Sequence, residues 1–356
     1  MSASTILRQR RALRWSVPAC VVGVICLAAA GVFTAQASSE RLPTRSAAAL
    51  LADVQSGRVS GLSGTIVAQM SLGLPTLPNI GGPQAQASVS GLLSGSHTMR
   101  FWYDGPDHQR LALLGTTNET DVFHNGRDLW QWDSDAHVAT HTVLPASRPA
   151  GAERIELTPQ QAADHAIKAI TPSTQVTVAA DRRVADRSSY ELVLTPRERT
   201  TLVGSVRIAI DGKTKMPLGV QVFARGSSSP AVDVSFSHVT FKTPAADNFT
   251  FSPPPGATVK QGADDNPIKP TPHTAPGTTT TIGSGWTAIA EYRTTSAQLA
   301  KMVGPMLAQL KAVDGSWGHG RLLKSALLSV LVTDDGRVFA GAVDPSALYA
   351  AAASHK

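Results

Sequence analysis

Along most of this chain beyond its first sixty residues, apolar and polar positions alternate with a period of two. This is the signature of strands that bury one face. Gly64–Leu74 is the first such run. Thr98–Asp104 and Gln109–Leu114 then flank Asp104-Gly105-Pro106-Asp107, and Glu119–His124 and Asp128–Trp132 flank Asn125-Gly126. Asn-Gly between alternating runs is the strongest short-range hairpin signal. Asp133–Ala136 turns the chain again into Val138–Leu144. The later runs are Gln175–Ala179, Tyr190–Thr195, Val203–Ile210, Leu218–Ala224, Val232–Phe236 and Val239–Phe241. Consecutive hairpins make an antiparallel meander, and the pattern predicts about eleven strands in roughly 215 residues.

Helical spacing interrupts this twice. Leu50, Leu51 and Val54 predict a short helix within 46–59, with Gly57 as its stop. Thr158-Pro159-Gln160-Gln161 offers a cap, a first-turn proline and a glutamine three residues after the cap. A helix over 158–170 follows, with Ala162, Ala163, Ala166, Ile167 and Ile170 as its apolar side and Pro172 as its end.

From residue 253 onward prolines crowd the chain, and a Thr278–Thr281 run follows. Proline in such numbers disfavours ladders and helices, so this stretch reads as an extended spacer. A small C-terminal unit comes after it. Gly285-Trp286 opens a strand, Ser296–Ala312 reads as a helix interrupted by Pro305, and Leu322–Thr333 and Arg337–Val343 flank the turn Asp334-Asp335-Gly336. Pro345–Ala353 closes as an Ala-rich helix. The expected division is 1–37 as a leader or anchor, 38–260 as a mainly β domain, 261–281 as a linker and 282–356 as a small α/β domain. The fold class is mainly β with α, that is α+β.

The first residues change the picture most. Arg8, Arg10, Arg11 and Arg14 precede an uncharged run over 15–39, and Ala35-Gln36-Ala37 supplies a small-x-small pattern. That order matches a secretory signal cut after Ala37. The run is also long enough to span a bilayer as an uncleaved anchor, which would give membrane contact through residues 15–37. On either reading the rest of the chain is extracytoplasmic, secreted or held at the cell membrane. Without residues 1–37 the chain carries 28 basic and 26 acidic side chains. So balanced a surface gives little long-range attraction for phosphodiester backbones, and nucleic acid is not an expected partner. Cys20 and Cys26 both lie in the apolar run and no cysteine follows. Structural disulfides and Cys-ligated metal sites are therefore excluded from the exported part.

Catalytic signatures are absent: there is no G-x-S-x-G, S-x-x-K, H-E-x-x-H or P-loop. His137 and His141 would sit ~13 Å apart along a strand, too far for joint ligation. No catalytic residue, metal ligand or cofactor is expected, and the chain does not read as an enzyme. The aromatics carry more information. Phe101, Trp102 and Tyr103 are adjacent on one strand, so large rings lie on both of its faces. Pairing across Asn125-Gly126 sets Phe123, Trp130 and Trp132 on one face with Asp121 and Asp128, and Val122 and Leu129 on the other. An ordinary covered core explains this pattern, and so does a curved sheet enclosing an apolar ligand cavity. In the second case Phe101, Tyr103, Val122 and Leu129 are the candidates to line it.

Three stretches resemble a known family. They are His-Thr-Met-Arg-Phe-Trp-Tyr-Asp-Gly-Pro-Asp over 97–107, Asn-Gly-Arg-Asp-Leu-Trp-Gln-Trp-Asp over 125–133, and Phe-Thr-Phe-Ser-Pro-Pro-Pro-Gly-Ala over 249–257. In this order they resemble the LolA-like outer-membrane lipoprotein-sorting superfamily, including its RseB/MucB-like members and an actinobacterial branch. The resemblance implies a half-open antiparallel β-barrel whose concave apolar face is covered by helices, here 46–56 and 158–170. It implies binding of lipid or lipoprotein acyl chains without covalent chemistry. The RseB/MucB-like plan adds a second small domain and regulation of an anti-sigma factor, so an anti-sigma factor or another envelope protein is the implied protein partner.

Overall fold

The computed structural model describes residues 42–57, 59–74, 94–144, 170–262, 278–297, 299, 307 and 309–354, with only the backbone of 180 and 181. Two sheets and two helices make up the described chain. The first sheet has twelve strands. In chain order they are β1 (Leu62–Met70), β2 (Gly95–Tyr103), β3 (His108–Leu114), β4 (Glu119–Asn125), β5 (Asp128–Asp133), β6 (Val138–Val143), β7 (Thr174–Val184), β8 (Arg187–Pro196), β9 (Val203–Asp211), β10 (Pro217–Ala224), β11 (Pro230–Thr240) and β12 (Thr258–Gln261). Their spatial order is β12-β6-β5-β4-β3-β2-β1-β11-β10-β9-β8-β7. All pairings are antiparallel except β12 on β6, so the sheet is mixed. It is curled but not closed into a barrel. Val184, at the end of the edge strand β7, packs in one cluster with Leu62, Ile66, Phe101, Tyr103 and Phe236 of β1, β2 and β11. Only a curled sheet brings those strands together, and large twisted sheets curl in this way.

The hairpins form where the turn residues demand. Gly105 and Gly126 both take positive φ, at 84° and 61°, a conformation that glycine adopts without steric cost. Two expected strands, 232–236 and 239–241, are one strand, β11. A bulge opposite Thr65 and Ile66 of β1 absorbs the extra residue and restores the alternation.

Most large apolar residues of β7–β11, β1 and β2, among them Leu192, Ile208, Val220, Phe236, Ile66 and Phe101, share the inner face. Helix α1 (Ala47–Ser56) lies on it, its first turn capped by the Ser46 hydroxyl, which accepts from Ala49 N–H. Leu50 is fully buried with Tyr190, Leu192, Leu194, Val206, Ile210 and Val220. The expected helix 158–170 lies outside the described residues except for Ile170, which packs on this same cluster. The β9–β10 turn is tied to the start of β8. Asp211 receives two bonds from Arg187, at 2.6 and 2.9 Å, and one each from the Thr214 amide and hydroxyl.

The second sheet has six strands in the order β13-β14-β18-β17-β16-β15. They are β13 (Thr278–Ile282), β14 (Ile289–Arg293), β15 (Lys311–Gly315), β16 (Gly318–Lys324), β17 (Ser329–Thr333) and β18 (Arg337–Gly341). Helix α2 (Pro345–Ser354) covers one face, with Leu331, Phe339, Val343 and Leu348 fully buried between them. Four expectations are corrected here. The Thr278–Thr281 run is strand β13 rather than spacer, because β-branched threonines favour strands once proline ends. Leu322–Thr333 is two strands, because Ser325 bonds back to Leu328 in a tight turn. The strand after the spacer starts at Ile289, since Gly285–Thr287 forms a 3₁₀ turn. The end of the expected helix 296–312 is strand β15; Ser296, Ala297, Leu299 and Leu307 are helical and the rest of it lies outside the described residues.

The two sheets touch. Thr201 and Val343 form a β-bridge, Leu202 N–H donates to Ala342 C=O at 2.7 Å, and the Trp286 indole N–H donates to the Thr174 hydroxyl at 2.7 Å. Among the described residues no helix is long and apolar enough to cross a membrane, and the expected leader or anchor lies outside them.

Burial opposes the charge of Asp211, but the Arg187 guanidinium and the Thr214 donors outweigh it and hold the carboxyl below its ordinary value. A carboxyl depressed on folding adds stability above its unfolded pKa of about 4, and that stability is lost as pH falls through the folded value. Asp211→Asn should therefore cost about 3–5 kcal/mol at pH 7, the range for breaking a buried pair. Urea denaturation of wild type and variant at pH 7 and pH 3 should show the gap narrowing in acid.

Candidate functional site

The register between β1 and β6 is regular, with no shift in any of its five pairings. Phe101 faces Leu111, Leu111 faces Val122, Val122 faces Gln131 and Gln131 faces Thr140. The parallel pairing of β12 adds Lys260 opposite Thr140. Residues directly opposite in a ladder share a face, so these six form one row across the inner face.

The row changes character along its length. Phe101 is 9% exposed, inside the cluster of Leu62, Ile66 and Phe236. Leu111 is 38% exposed, while Met99, Leu113 and Val122 are half-buried. Past Val122 lies a cleft of about 410 Å³, bordered by Thr120, Val122, Gln131, Asp133, Thr140 and Lys260, with Trp132, Ala136 and Val138 completing its wall. The inner face is thus packed at the β1–β2 end, apolar and partly open in the middle, and polar at the β12 end.

The structure separates the four residues proposed as cavity lining. Phe101 and Tyr103 sit together in the core cluster, with ring centroids 6.3 Å apart. Burial first, and then the charges of Asp104 and Asp107, push the Tyr103 phenol up, which keeps it neutral. Leu129 is 1% exposed. Val122 alone of the four borders the cleft. Leu111 and Lys260 were missed by the sequence reading. Leu111 was legible, because the Asp104–Asp107 turn sets it opposite Phe101. Lys260 gave no signal, since a parallel edge strand has no hairpin to announce it.

The opposite face of β2–β6 carries the remaining aromatics, and the segment after β11 packs on it. Phe251 packs on Phe123, Trp130 and Trp132 at centroid distances of 4.9, 5.4 and 6.0 Å. Phe249 is buried and lies 5.9 Å from the His108 ring. Arg110 is held between the Trp102 and Phe123 rings, at 4.7 and 4.5 Å, and makes two bonds to the buried Asp121. The Phe-Thr-Phe segment therefore covers much of the outer aromatic face, on which Val143 stays 43% exposed.

No family model matches the chain, and neither does any curated protein. Among solved structures the chain is similar to the Pseudomonas aeruginosa MucA/MucB complex, at 14% identity over 85% of this chain and 94% of that one, with a TM-score of 0.44. A crystal structure of MucB matches at 16% identity over the same shares, with a TM-score of 0.40. A LolA-superfamily protein from Nitrosomonas europaea matches at 11% identity over 58% of this chain and 99% of that one, with a TM-score of 0.23. These neighbours are MucB and LolA-superfamily proteins, the groups named by the sequence resemblance.

Core and open positions of the row should separate on substitution. Phe101→Ala should cost about 3–5 kcal/mol, as for a packed core aromatic. Leu111→Ala should cost less than about 1 kcal/mol, as for a position that packs little. Chemical denaturation of the two variants reads this difference.

Proposed function

We propose that this chain is an exported, non-enzymatic protein that holds the acyl chains of a lipid or lipoprotein against the inner face of its curled sheet. The observation that carries this is the partly open apolar stretch at Met99, Leu111, Leu113 and Val122 on the inner face, where Leu111 is 38% exposed. A dry apolar surface needs no covalent chemistry to retain an acyl chain. Each CH₂ removed from water contributes ~0.8 kcal/mol, so ten or so methylenes suffice for firm retention. The Arg-rich start and apolar run over 15–39 support a location outside the cytoplasm, by secretion or by anchoring.

A second reading is favoured by one contact. Trp286, Leu327 and Ala342 of the second sheet's segments pack on the same cluster that holds α1 to the first sheet. Ligand on the inner face and partner on the second sheet would then be linked through shared side chains. On this reading the chain is a regulator of an anti-sigma factor, with the C-terminal unit as the partner's seat.

Titration of the lipid-stripped chain with a fluorescent fatty acid tests the first reading. Saturable binding is expected, and Leu111→Glu should weaken it at least tenfold while leaving the melting temperature within a few degrees. Binding that is absent in the wild type, or unchanged in this variant, contradicts it. For the second reading, the chain should capture the extracytoplasmic segment of an anti-sigma factor differently when loaded and when empty. Trp286→Ala should erase that difference; a difference that persists in the variant counts against coupling through this contact.

A further inference from the structure

The polar end of the inner row has a chemistry that acyl chains do not use. From Val122 the row continues through the Gln131 amide and the Thr140 hydroxyl to the Lys260 ammonium. Five strand steps from Phe101 to Lys260 cover about 24 Å at the usual ~4.8 Å spacing. The cleft at this end, of about 410 Å³, falls within the range of small-molecule sites.

Two charged groups in the cleft are open to a ligand, and a buried hydroxyl beside them lacks a partner. Lys260 is exposed, and among the described residues it makes no ion pair or side-chain hydrogen bond. The Thr120 hydroxyl is buried without a hydrogen-bond partner among them. Asp133 accepts from the backbone N–H groups of Asp135 and Ala136 through Oδ1, at 3.0 and 2.9 Å, which fixes its position and leaves Oδ2. The cleft therefore presents one cation and one carboxylate, separated by the β6 strand that pairs between them.

We infer that this end of the row binds a zwitterionic head group of the phosphoethanolamine type, with the phosphate at Lys260 and the ammonium toward Asp133. A purely anionic group would gain Lys260 but meet the like charge of Asp133, and a purely cationic one would meet the reverse. A group carrying both charges satisfies both residues, while the hydroxyls and the amide of Gln131 supply donors for phosphate oxygens. Apolar residues, then hydroxyl and amide, then paired charges follow the order of parts in such a lipid. The inference deepens the acyl-chain reading and rests on it.

Calorimetry of the lipid-stripped exported chain tests it with four probes: dihexanoyl phosphatidylethanolamine, dihexanoyl phosphatidylglycerol, dihexanoylglycerol and free phosphoethanolamine. Phosphatidylethanolamine should bind about tenfold tighter than the uncharged dihexanoylglycerol, the equivalent of one charge-assisted bond. Lys260→Gln should remove about tenfold from both phosphate-bearing lipids. Asp133→Asn should weaken only phosphatidylethanolamine, since the asparagine oxygen still caps the turn. Equal binding of all three acylated probes, or indifference to both substitutions, overturns the head-group site and leaves acyl-chain binding in place. Free phosphoethanolamine binding as tightly as its lipid would make the cleft a site for a soluble phosphate and also overturn the inference. Failure of every acylated probe would remove both readings.

Discussion

Register across the large sheet is the constraint on which its inner face depends. Side chains alternate with a period of two, so a slip of one residue on any strand would turn its apolar set outward. From β1 to β6 the pairing runs without a shift, and the row from Phe101 to Thr140 stays aligned. Shifts occur instead where β1 meets β11, between β11, β10 and β9, and between β7 and β8. Bulges bend strands and increase their twist. The curl is concentrated in the half that carries α1, and the regular half presents a long, even surface.

The two faces of the regular half have different fates. Outside, Phe251 returns from the end of the sheet to cover Phe123, Trp130 and Trp132, Phe249 packs beside His108, and Arg110 pairs with Asp121 next to Phe123. The aromatic area there is spent on holding the chain's return. Inside, the apolar side chains are smaller and remain partly open at Leu111. Close approach also matters near this face: a Cβ at Gly64 would lie 2.8 Å from the Phe236 ring and 2.6 Å from the His238 carbonyl oxygen. Glycine at 64 therefore lets the Phe236 ring and the β11 backbone approach β1 closely at the packed end.

The hairpins were legible because their turns are written in the sequence. Asn125-Gly126 and Asp104-Gly105 each place glycine where positive φ is needed, and the alternation on either side follows from them. The open and curled character was legible only through resemblance, since the curl arises from bulges that alternation hides. Strand β12 was not legible at all. Its four residues are all exposed and its parallel pairing leaves no turn signal, so Lys260 was invisible as a neighbour of Thr140. The same limit explains the ligand candidates. Phe101, Tyr103, Val122 and Leu129 do share the inner face, but only packing distinguishes Leu129, wholly buried, from Val122, which borders the cleft.

The central claim is that the inner face retains an acyl ligand. Native mass spectrometry with lipid extraction, on the chain recovered from a bacterial envelope without detergent stripping, addresses it most directly. The account predicts one stoichiometric acyl-bearing ligand that leaves only on denaturation. A protein recovered at its bare polypeptide mass, with no lipid in the extract, would contradict it.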